Sequence, residues 1–278
     1  MKQDKIYFAA VGDVHGDMYT MYTMLGLLQS WEKKHQQSLS FVLQVGDFEP
    51  HRDSEDLMTM DAPTKYKKLG DFPNFYGGKA KFPYPLWFIG GNHEPYGFLD
   101  CFPQGQEIAP NFNYFGRVNL IELAGLKVVG VSGIYKPDLF SLKSRPAVAE
   151  ISSRPNKEYI GFLESEITQA LDYDRADILL LHDWVAEIIS PEALTLFQQR
   201  YSNARYQEIG NEYARLLVEA LQPQLVLCGH LHFSYRYTLP LSSEITTDIC
   251  CLANVRQGFK SLAVFEITPQ REIIEVAD

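Results

Sequence analysis

The chain has 278 residues and a mass of 31.7 kDa, which is long enough to bury a large core without covalent staples. It is 46% hydrophobic and 22% charged, a balance that excludes an intrinsically disordered protein. A formal net charge of −10 disfavours broad, non-specific adhesion to nucleic acids or membranes.

Short apolar runs alternate with amphipathic stretches along most of the chain. In chain order the patterns predict a strand at 6–11, a helix from about Met18, strands at 41–45 and 85–89, a hairpin at 118–123 and 126–131, a helix at 158–171, a strand at 178–181, a helix at 212–221, a strand at 225–228, and final strands at 233–239, 245–253, 259–267 and 271–276. This order predicts an α/β (α+β layered) fold, an αββα sandwich with two mixed β-sheets, formed by one domain over 1–278.

Two segments lack regular patterns. Residues 71–115 contain six prolines, too many for helix interiors or central strands, and residues 133–157 contain three. Long irregular loops in a compact domain are usually functional or mobile, and we expect an insertion near 135–157.

The sequence also bears on where the protein works. No apolar stretch approaches the roughly 20 residues of a membrane span, and the N-terminus has no signal-peptide pattern. The four cysteines form no CxxC pair, which favours reduced thiols: Cys101, Cys228, Cys250 and Cys251. We therefore expect a cytoplasmic protein that does not contact membranes.

Polar side chains follow five of the predicted strands, at the point where each strand ends. The five segments are Gly12-Asp13-Val14-His15-Gly16, Gly46-Asp47, Gly91-Asn92-His93-Glu94, His182-Asp183 and Gly229-His230-Leu231-His232. Ligands of open α/β sheets bind beyond the carboxyl ends of the strands, and glycine lets the backbone approach a ligand closely. Five of the seven histidines lie in these segments, whereas His35 and His51 do not.

These residue types suit a pair of divalent cations. Two metals about 3.5–4 Å apart need a carboxylate that touches both, with oxygen and nitrogen ligands to complete each sphere. Asp-x-His and His-x-His each present two ligands on one side of an extended segment, because side chains alternate with a period of two. The sequence thus predicts a dinuclear metal site at the carboxyl ends of the strands.

The ordered set of motifs resembles the calcineurin-like metallophosphoesterase superfamily across the whole chain. The resemblance implies that Asp13, His15 and His232 hold one metal, that Asn92, His182 and His230 hold the second, and that Asp47 bridges them. It further implies Mn, Fe or Zn as cofactors and His93 as the general acid. The reaction implied is in-line attack on phosphorus by a hydroxide that bridges the metals.

Within that superfamily the chain looks most similar to lariat debranching enzymes, which cleave 2′,5′-phosphodiester bonds in RNA. The similar segments are 46–52, 60–66, 88–94, 109–111, 131–135 and 182–184. One position departs from the pattern, because those enzymes commonly carry Cys where this chain has Asp13. Protein phosphatases need G-D-x-x-D-R-G after the second strand, which this chain lacks.

Other residues are candidates for holding substrate or ligands in place. Arg52 is predicted to clamp a phosphoryl oxygen, and Tyr96 to stack on an unpaired base. Phe102, Phe112 and Tyr114 could stack in the same way, but aromatic residues in such a segment, Tyr96 included, are more often part of the core. Residues 136–157 contain five basic residues, among them Arg154, and two acidic residues, so Lys143 and Arg145 are predicted to contact a phosphate backbone, with a basic but merely solvated loop as the alternative. Asp17, Glu94 and Asp183 are predicted to accept hydrogen bonds from ligand imidazoles.

The sequence leaves three functional hypotheses. The first is a phosphodiesterase acting on 2′,5′-linked or branched RNA, and the second is the same mechanism on cyclic nucleotides, short oligonucleotides or other small phosphoesters. The third is a non-catalytic scaffold that keeps the fold for partner binding. Because such scaffolds typically lose ligands, the complete set of seven ligand positions and His93 favours an enzyme.

Overall fold

The computed structural model describes residues 5–35, 37–147, 157–201 and 209–276, which form two mixed β-sheets flanked by helices. The strands are β1 (Ile6–Val11), β2 (Leu39–Gln44), β3 (Leu86–Phe88), β4 (Gln106–Ala109), β5 (Phe112–Tyr114), β6 (Val118–Leu123), β7 (Leu126–Val131), β8 (Ile178–Leu181), β9 (Leu225–Cys228), β10 (Tyr235–Pro240), β11 (Thr246–Cys251), β12 (Leu262–Ile267) and β13 (Ile273–Glu275).

Each sheet has a parallel centre and antiparallel edges. The first sheet has the order β13-β12-β1-β2-β3-β5-β4, in which β1, β2, β3 and β5 are parallel. The second has the order β10-β11-β9-β8-β7-β6, in which β7, β8, β9 and β11 are parallel. The central strands of each sheet therefore end at a common edge.

Helices cover the outer faces of both sheets. They are α1 (Met18–His35), α2 (Asp56–Thr59), α3 (Phe72–Tyr76), α4 (Tyr96–Leu99), α5 (Pro137–Phe140), α6 (Glu164–Leu171), α7 (Pro191–Arg200) and α8 (Glu212–Leu221), with short 3₁₀ segments at 64–66, 157–159 and 255–261. Side chains cap two of them: Ser190 accepts from the Ala193 amide, and Asn211 from the Ala214 amide. No helix among the described residues is long and apolar enough to cross a membrane.

Three layers of apolar side chains hold the sandwich together. The inner faces of the two sheets share one core, in which Phe8 and Leu43 of the first sheet lie with Leu180 and Leu227 of the second. A second layer packs α1 and α3 on the first sheet, and a third packs α6, α7 and α8 on the second. The predicted αββα sandwich of two mixed sheets is confirmed.

Three element predictions need correction. The strand predicted over 259–267 begins only at Leu262, because residues 255–261 form a 3₁₀ segment. The helix predicted over 158–171 begins only at Glu164, because Gly161 pairs with Ile134 in an isolated β-bridge and Leu163 is the extended residue before the helix. The proline-rich segment 71–115 is not irregular throughout, since it contains β4 and β5 as the edge of the first sheet, as well as α3 and α4. Part of the predicted insertion, 148–156, lies outside the described residues.

Candidate dinuclear metal site

The five polar segments meet at one edge of the sandwich, as the parallel strands require. Asp13 and His15 follow β1, Asp47 follows β2, and Asn92 and His93 follow β3 of the first sheet. The second sheet contributes His182 after β8, and His230 and His232 after β9. The structure thus brings together all seven predicted ligands from both sheets.

One group of ligands combines two carboxylates with two imidazoles. Single ligand atoms of Asp13, His15, Asp47 and His232 all lie within 4.8 Å of one another. His232 Nε2 is 2.9 Å from Asp13 Oδ2 and 2.9 Å from His15 Nε2. His15 Nε2 is 3.8 Å from Asp47 Oδ2.

A second group shares Asp47 with the first. Ligand atoms of Asp47, His182 and His230 also lie within 4.8 Å of one another. His182 Nε2 is 3.4 Å from Asp47 Oδ1 and 3.2 Å from Asn92 Oδ1. The two carboxylate oxygens of Asp47 therefore face different groups of ligands.

The backbone is held close to these carboxylates. A Cβ atom at Gly229 would collide with Asp13 Oδ1, and one at Gly91 would collide with Asp47 Oδ1. The close approach lets nearby amides donate to the same oxygens, from His230 to Asp13 at 3.2 Å and from His93 to Asp47 at 2.9 Å. Glycine is needed at both positions because any side chain would displace a ligand.

Hydrogen bonds at the far nitrogen fix the tautomers of two imidazoles. His182 Nδ1 donates to the Val45 carbonyl at 2.7 Å, and His15 Nδ1 donates to the Glu49 carboxylate at 2.8 Å. Each Nε2 is then left with a lone pair that points into the cluster. His232 differs from these two, because the Asn254 side-chain NH2 group donates to its Nδ1 at 3.1 Å, and this bond does not fix a lone pair on its Nε2.

Several buried polar atoms test whether the cluster could hold cations. His230 Nδ1 is buried without a hydrogen-bond partner among the described residues, and Asp13 Oδ2 accepts no hydrogen bond of good geometry although His232 Nε2 lies 2.9 Å away. Buried polar atoms are normally paired, and two imidazole nitrogens 2.9 Å apart are not a stable contact without a proton or a cation between them. The residues therefore fit a pair of divalent cations, with oxygen and nitrogen donors that suit Mn, Fe or Zn.

The charged groups of the cluster shift one another's pKa values. Burial opposes charge on His15 and His182, but the neighbouring carboxylates outweigh it and raise the pKa of His15 to about 9 and of His182 to about 10. Burial would raise the pKa of Asp47, yet the surrounding imidazoles, His182 first, hold it well below its usual range. Without cations, His15 and His182 are therefore protonated at neutral pH, and bound cations would displace these protons.

Sequence reasoning missed the partner of His15. Glu49 is 3% exposed, and it lies two residues after Asp47 in Gly46-Asp47-Phe48-Glu49. Its backbone φ is +56°, which turns the side chain back toward His15. The spacing of residues along an extended strand does not reveal such a turn. The only indication in the sequence was that Glu49 lies in the short polar segment that follows β2.

The Glu49→Gln variant keeps the shape of the side chain and removes its charge. We expect about tenfold weaker Mn²⁺ binding, because a carboxylate behind a ligand imidazole orients the ring and raises its basicity. Equilibrium dialysis with metal analysis measures the effect. Glu32→Gln is the control, since Glu32 accepts from the Leu39 amide at the opposite end of β2. Equal affinity in Glu49→Gln and wild type would contradict the expectation.

His93 lies beside the cluster, and its ring is 5.6 Å from that of His15. Its amide donates to Asp47 Oδ1, which fixes the backbone, whereas its Nδ1 is buried without a hydrogen-bond partner among the described residues. An imidazole in this place could exchange a proton with a group bound at the cluster.

The three carboxylates predicted to support the imidazoles have other partners. Glu94 accepts from the amides of Phe48, Glu49 and Gly91, so it ties the loop after β2 to the loop after β3. Asp183 accepts from the Tyr135 amide and the Asn211 side chain, and Asp17 pairs with Arg256 at 3.2 Å. The imidazole partners in the structure are instead Glu49, Asn254 and the Val45 carbonyl.

The predicted substrate contacts are divided between the surface and the interior. Tyr96 is 1% exposed, its hydroxyl donates to the Gly91 carbonyl, and its ring packs under Arg117, so it is not available to stack on a base. Phe112 and Tyr114 are fully buried, and Phe102 packs against the same core.

The basic candidates are divided in the same way. Arg145 makes a two-pronged ion pair with Glu166 and bonds the Gly161 carbonyl, which occupies its guanidinium in the fold. Arg52 pairs with Asp56 at 2.8 Å but keeps 33% of its side chain exposed, and Lys143 is exposed. Arg154 lies outside the described residues. Arg52 and Lys143 stay predictions, and Arg145 is corrected to a structural residue.

His51 lies outside the motifs and is fully buried. Its Nδ1 is 3.1 Å from the Glu49 carbonyl, and its Nε2 is buried without a hydrogen-bond partner among the described residues. Burial lowers the pKa of His51 from 6.5 to about 4. The folded protein therefore keeps this imidazole neutral.

A neutral buried imidazole makes the fold sensitive to acid. The unfolded chain takes up a proton at His51 near pH 6.5 and the folded chain only near pH 4, so stability present above pH 6.5 is lost as the pH falls toward 4. The free energy of unfolding of the wild type should fall with acid, and we expect His51→Gln to make this fall smaller by up to about 3 kcal/mol. Urea unfolding of the metal-free protein at pH 7 and pH 4.5 measures it. The same acid sensitivity in variant and wild type would show that His51 does not titrate this way.

Comparison with known proteins identifies the family. A family model described as calcineurin-like phosphoesterase matches residues 6–234. The chain belongs to the calcineurin-like phosphoesterase family.

Curated relatives of this calcineurin-like chain include two lariat debranching enzymes. The one from Caenorhabditis briggsae is 33% identical over 250 residues, covering 86% of this chain and 48% of the relative. The one from Entamoeba histolytica is 33% identical over 275 residues, covering 96% and 73%. The chain thus spans about half the length of the first relative. A solved structure with 12% identity aligns with 98% of this chain and 99% of its own at a TM-score of 0.54, which supports the fold alone.

Proposed function

We propose that this protein is a dinuclear-metal-dependent phosphodiesterase that hydrolyses 2′,5′-linked, branched RNA. The observation that carries the proposal is the placement of Asp47, whose two carboxylate oxygens face two separate groups of ligands at the meeting edge of both sheets. A carboxylate so placed could bridge two cations, which is the arrangement that catalyses in-line displacement at phosphorus.

Each predicted ligand has a role in this proposal. Asp13, His15 and His232 would hold one cation, and Asn92, His182 and His230 the other, with Asp47 common to both. Bound cations of the Mn, Fe or Zn type would polarise the phosphoryl oxygens and supply an activated water. The donors narrow the native metal to these three and not further, because oxygen and imidazole nitrogen suit all of them.

The protein's own residues would orient the substrate and move a proton. His93 stands next to the cluster with its backbone fixed by Asp47, so its imidazole would protonate the leaving alkoxide. Glu94 would fix the position of the loop that carries His93 relative to the loop that carries Asp47, since it accepts hydrogen bonds from amides of both loops. Arg52, with a third of its side chain exposed, and Lys143 would contact substrate phosphates.

The names of the relatives support branched RNA as the substrate, since both are lariat debranching enzymes. One residue favours a second candidate. Asp13 stands where debranching enzymes commonly carry cysteine, and a carboxylate there changes the donor set of one cation. The second candidate is therefore the same reaction on cyclic nucleotides, short oligonucleotides or other small phosphoesters.

We further propose that residues 1–278 act as one domain in the cytoplasm. The shared core between the sheets and the shared site support a single unit. All four cysteines are free thiols, which suits a reducing compartment.

The test compares three substrates with protein loaded with Mn²⁺ and, separately, with Fe²⁺ under reducing conditions. They are a branched oligonucleotide with one 2′,5′ bond, a matched linear 3′,5′ oligonucleotide and bis-(p-nitrophenyl) phosphate. Selective cleavage of the 2′,5′ bond supports the proposal. Cleavage of the chromogenic diester alone favours the second candidate, and no cleavage of any substrate by protein with two bound metals would overturn both phosphodiesterase proposals.

A further inference from the structure

Three exposed tyrosines lie in the first turn of α1, at the end of α3 and in the 3₁₀ segment that precedes α3. Tyr19 is 44% exposed, Tyr66 is 57% exposed and Tyr76 is 47% exposed. We call these three residues the tyrosine shelf. Single exposed rings are common on protein surfaces, so the shelf is of interest for its neighbours and not for its exposure alone.

The shelf is joined to the loop that carries His15. Gly70 packs against Gly16, the Asp71 amide donates to the Gly16 carbonyl at 2.9 Å, and the Tyr19 amide donates to the Asp71 carboxylate at 3.1 Å. Gly16 directly follows His15, so the first turn of α1 and the start of α3 both lie at the rim of the site.

Buried rings hold two of the shelf residues in place. The Tyr19 ring lies 5.6 Å from Phe75, and the Tyr76 ring lies 5.8 Å from Phe72 and 6.3 Å from Phe98. Phe72 and Phe75 belong to the core, which fixes the backbone of α3. The exposed faces are therefore presented on a rigid base.

Basic groups accompany the shelf although the chain as a whole is acidic. Tyr66 lies in the segment 64–70, Thr-Lys-Tyr-Lys-Lys-Leu-Gly, which has three lysines and no acidic residue. Lys65 lies over the Tyr66 ring at 4.7 Å, and Lys67 bonds the Leu57 carbonyl at 3.1 Å. Near Tyr76, the Arg52 guanidinium lies 3.8 Å from the Phe98 ring centroid.

We propose that the tyrosine shelf is a stacking platform for unpaired bases of an RNA strand whose phosphodiester lies at the metal cluster. This inference rests on the proposed function and adds the place where the substrate strand lies. Aromatic rings interleaved with cations bind single strands by stacking the bases and attracting the backbone. The shelf takes the role that sequence reasoning gave to Tyr96, which is buried.

The experiment measures the affinity of the protein for a fluorescein-labelled linear oligoadenylate of eight nucleotides, beside an abasic strand of the same length. The variants are Tyr19→Ala, Tyr66→Ala and Tyr76→Ala, each with its Tyr→Phe counterpart. Phe259→Ala is the control, since Phe259 is 64% exposed but lines a separate groove with Leu262 and Val276.

We expect about tenfold weaker binding of oligoadenylate for each alanine variant, and little change for the phenylalanine variants, which keep a ring. The abasic strand should bind the wild type about tenfold or more weakly, and it should respond little to the alanine changes. In hydrolysis assays the alanine variants should lose more activity on branched RNA than on bis-(p-nitrophenyl) phosphate, which has no strand to stack.

The outcomes separate this inference from the proposed function. Tyrosine-dependent RNA binding without hydrolysis of any diester would support the shelf and overturn the proposed function. Hydrolysis of branched RNA with alanine variants that match Phe259→Ala would overturn the shelf and leave the proposed function standing. Binding of oligoadenylate that is unaffected by all three alanine changes would also overturn the shelf.

Discussion

Replacing His93 by alanine is expected to slow cleavage of an RNA phosphodiester by about 10²–10⁴, the usual contribution of a positioned general acid. The leaving group in that reaction is an alkoxide, which departs poorly without a proton. The metal content should stay near two per chain, because His93 contacts Asp47 through its backbone amide, and alanine keeps that amide. Single-turnover cleavage of a branched oligonucleotide, with metal analysis of the same samples, measures both quantities.

The chromogenic diester provides an internal control for His93→Ala. A p-nitrophenolate leaves as a stable anion and needs little protonation, so its release should slow much less than that of the alkoxide. Equal losses on both substrates would show that His93 does not act as the acid. Loss of metal from the variant would mean that the buried Nδ1 is a ligand, and the proposed role would be withdrawn.

Replacing Asp47 by asparagine is expected to have the largest effect on metal content. Asp47 is 1% exposed and is the only described carboxylate common to both groups of ligands, so its loss should reduce stoichiometry from two metals to one or none. Cleavage of every diester should fall by about 10³ or more, because two-metal catalysis depends on both cations. Metal analysis after gel filtration and initial rates of diester cleavage measure the two effects.

Asp177→Asn is the matched control for Asp47→Asn. Asp177 is also buried, at 7% exposed, but it precedes β8 and accepts from the Lys127 amide at the opposite edge of the sheet. The control should keep both metals even if it lowers the free energy of unfolding. Two metals bound to Asp47→Asn with activity retained would contradict the bridging role.

Much of the fold was predictable because the sequence pattern and the burial pattern coincide. The strands β1, β6, β7, β8 and β9 have the predicted bounds, and all of these except β6 are buried along nearly their whole length. The short strands β4 and β5 were missed because prolines surround them. They form only an edge of the sheet, where a three- or four-residue strand needs no periodic pattern.

The ligand set was predictable for a topological reason. Parallel strands end at one edge, so a polar residue just after each strand must lie near the others, whatever the length of chain between them. Contacts between loops have no such rule. The Glu49 bond to His15 depends on a local turn, and the burial of Tyr96 depends on Arg117, which is 21 residues away along the chain.

Charge alone was also a poor guide to substrate contacts. Arg145 lies in a basic segment, yet Glu166 from α6 neutralises it and buries the pair at 10% and 12% side-chain exposure. The sequence does not show such a partner, because the two residues are on different elements. Exposed aromatic residues such as Tyr76 were overlooked for the opposite reason, since a ring near core residues in sequence is normally core.

Four of the seven proposed ligands have left-handed backbone conformations: His15, Asp47, His230 and His232, with φ between +49° and +64°. For a residue with a Cβ atom this conformation costs about 1–2 kcal/mol. Glycine would relieve that cost and remove the ligand at the same time. Selection of this chain for thermal stability alone, without a requirement for activity, would therefore be expected to recover glycine at these positions. The proteins recovered would be more robust than the parent in the absence of metal, and inactive.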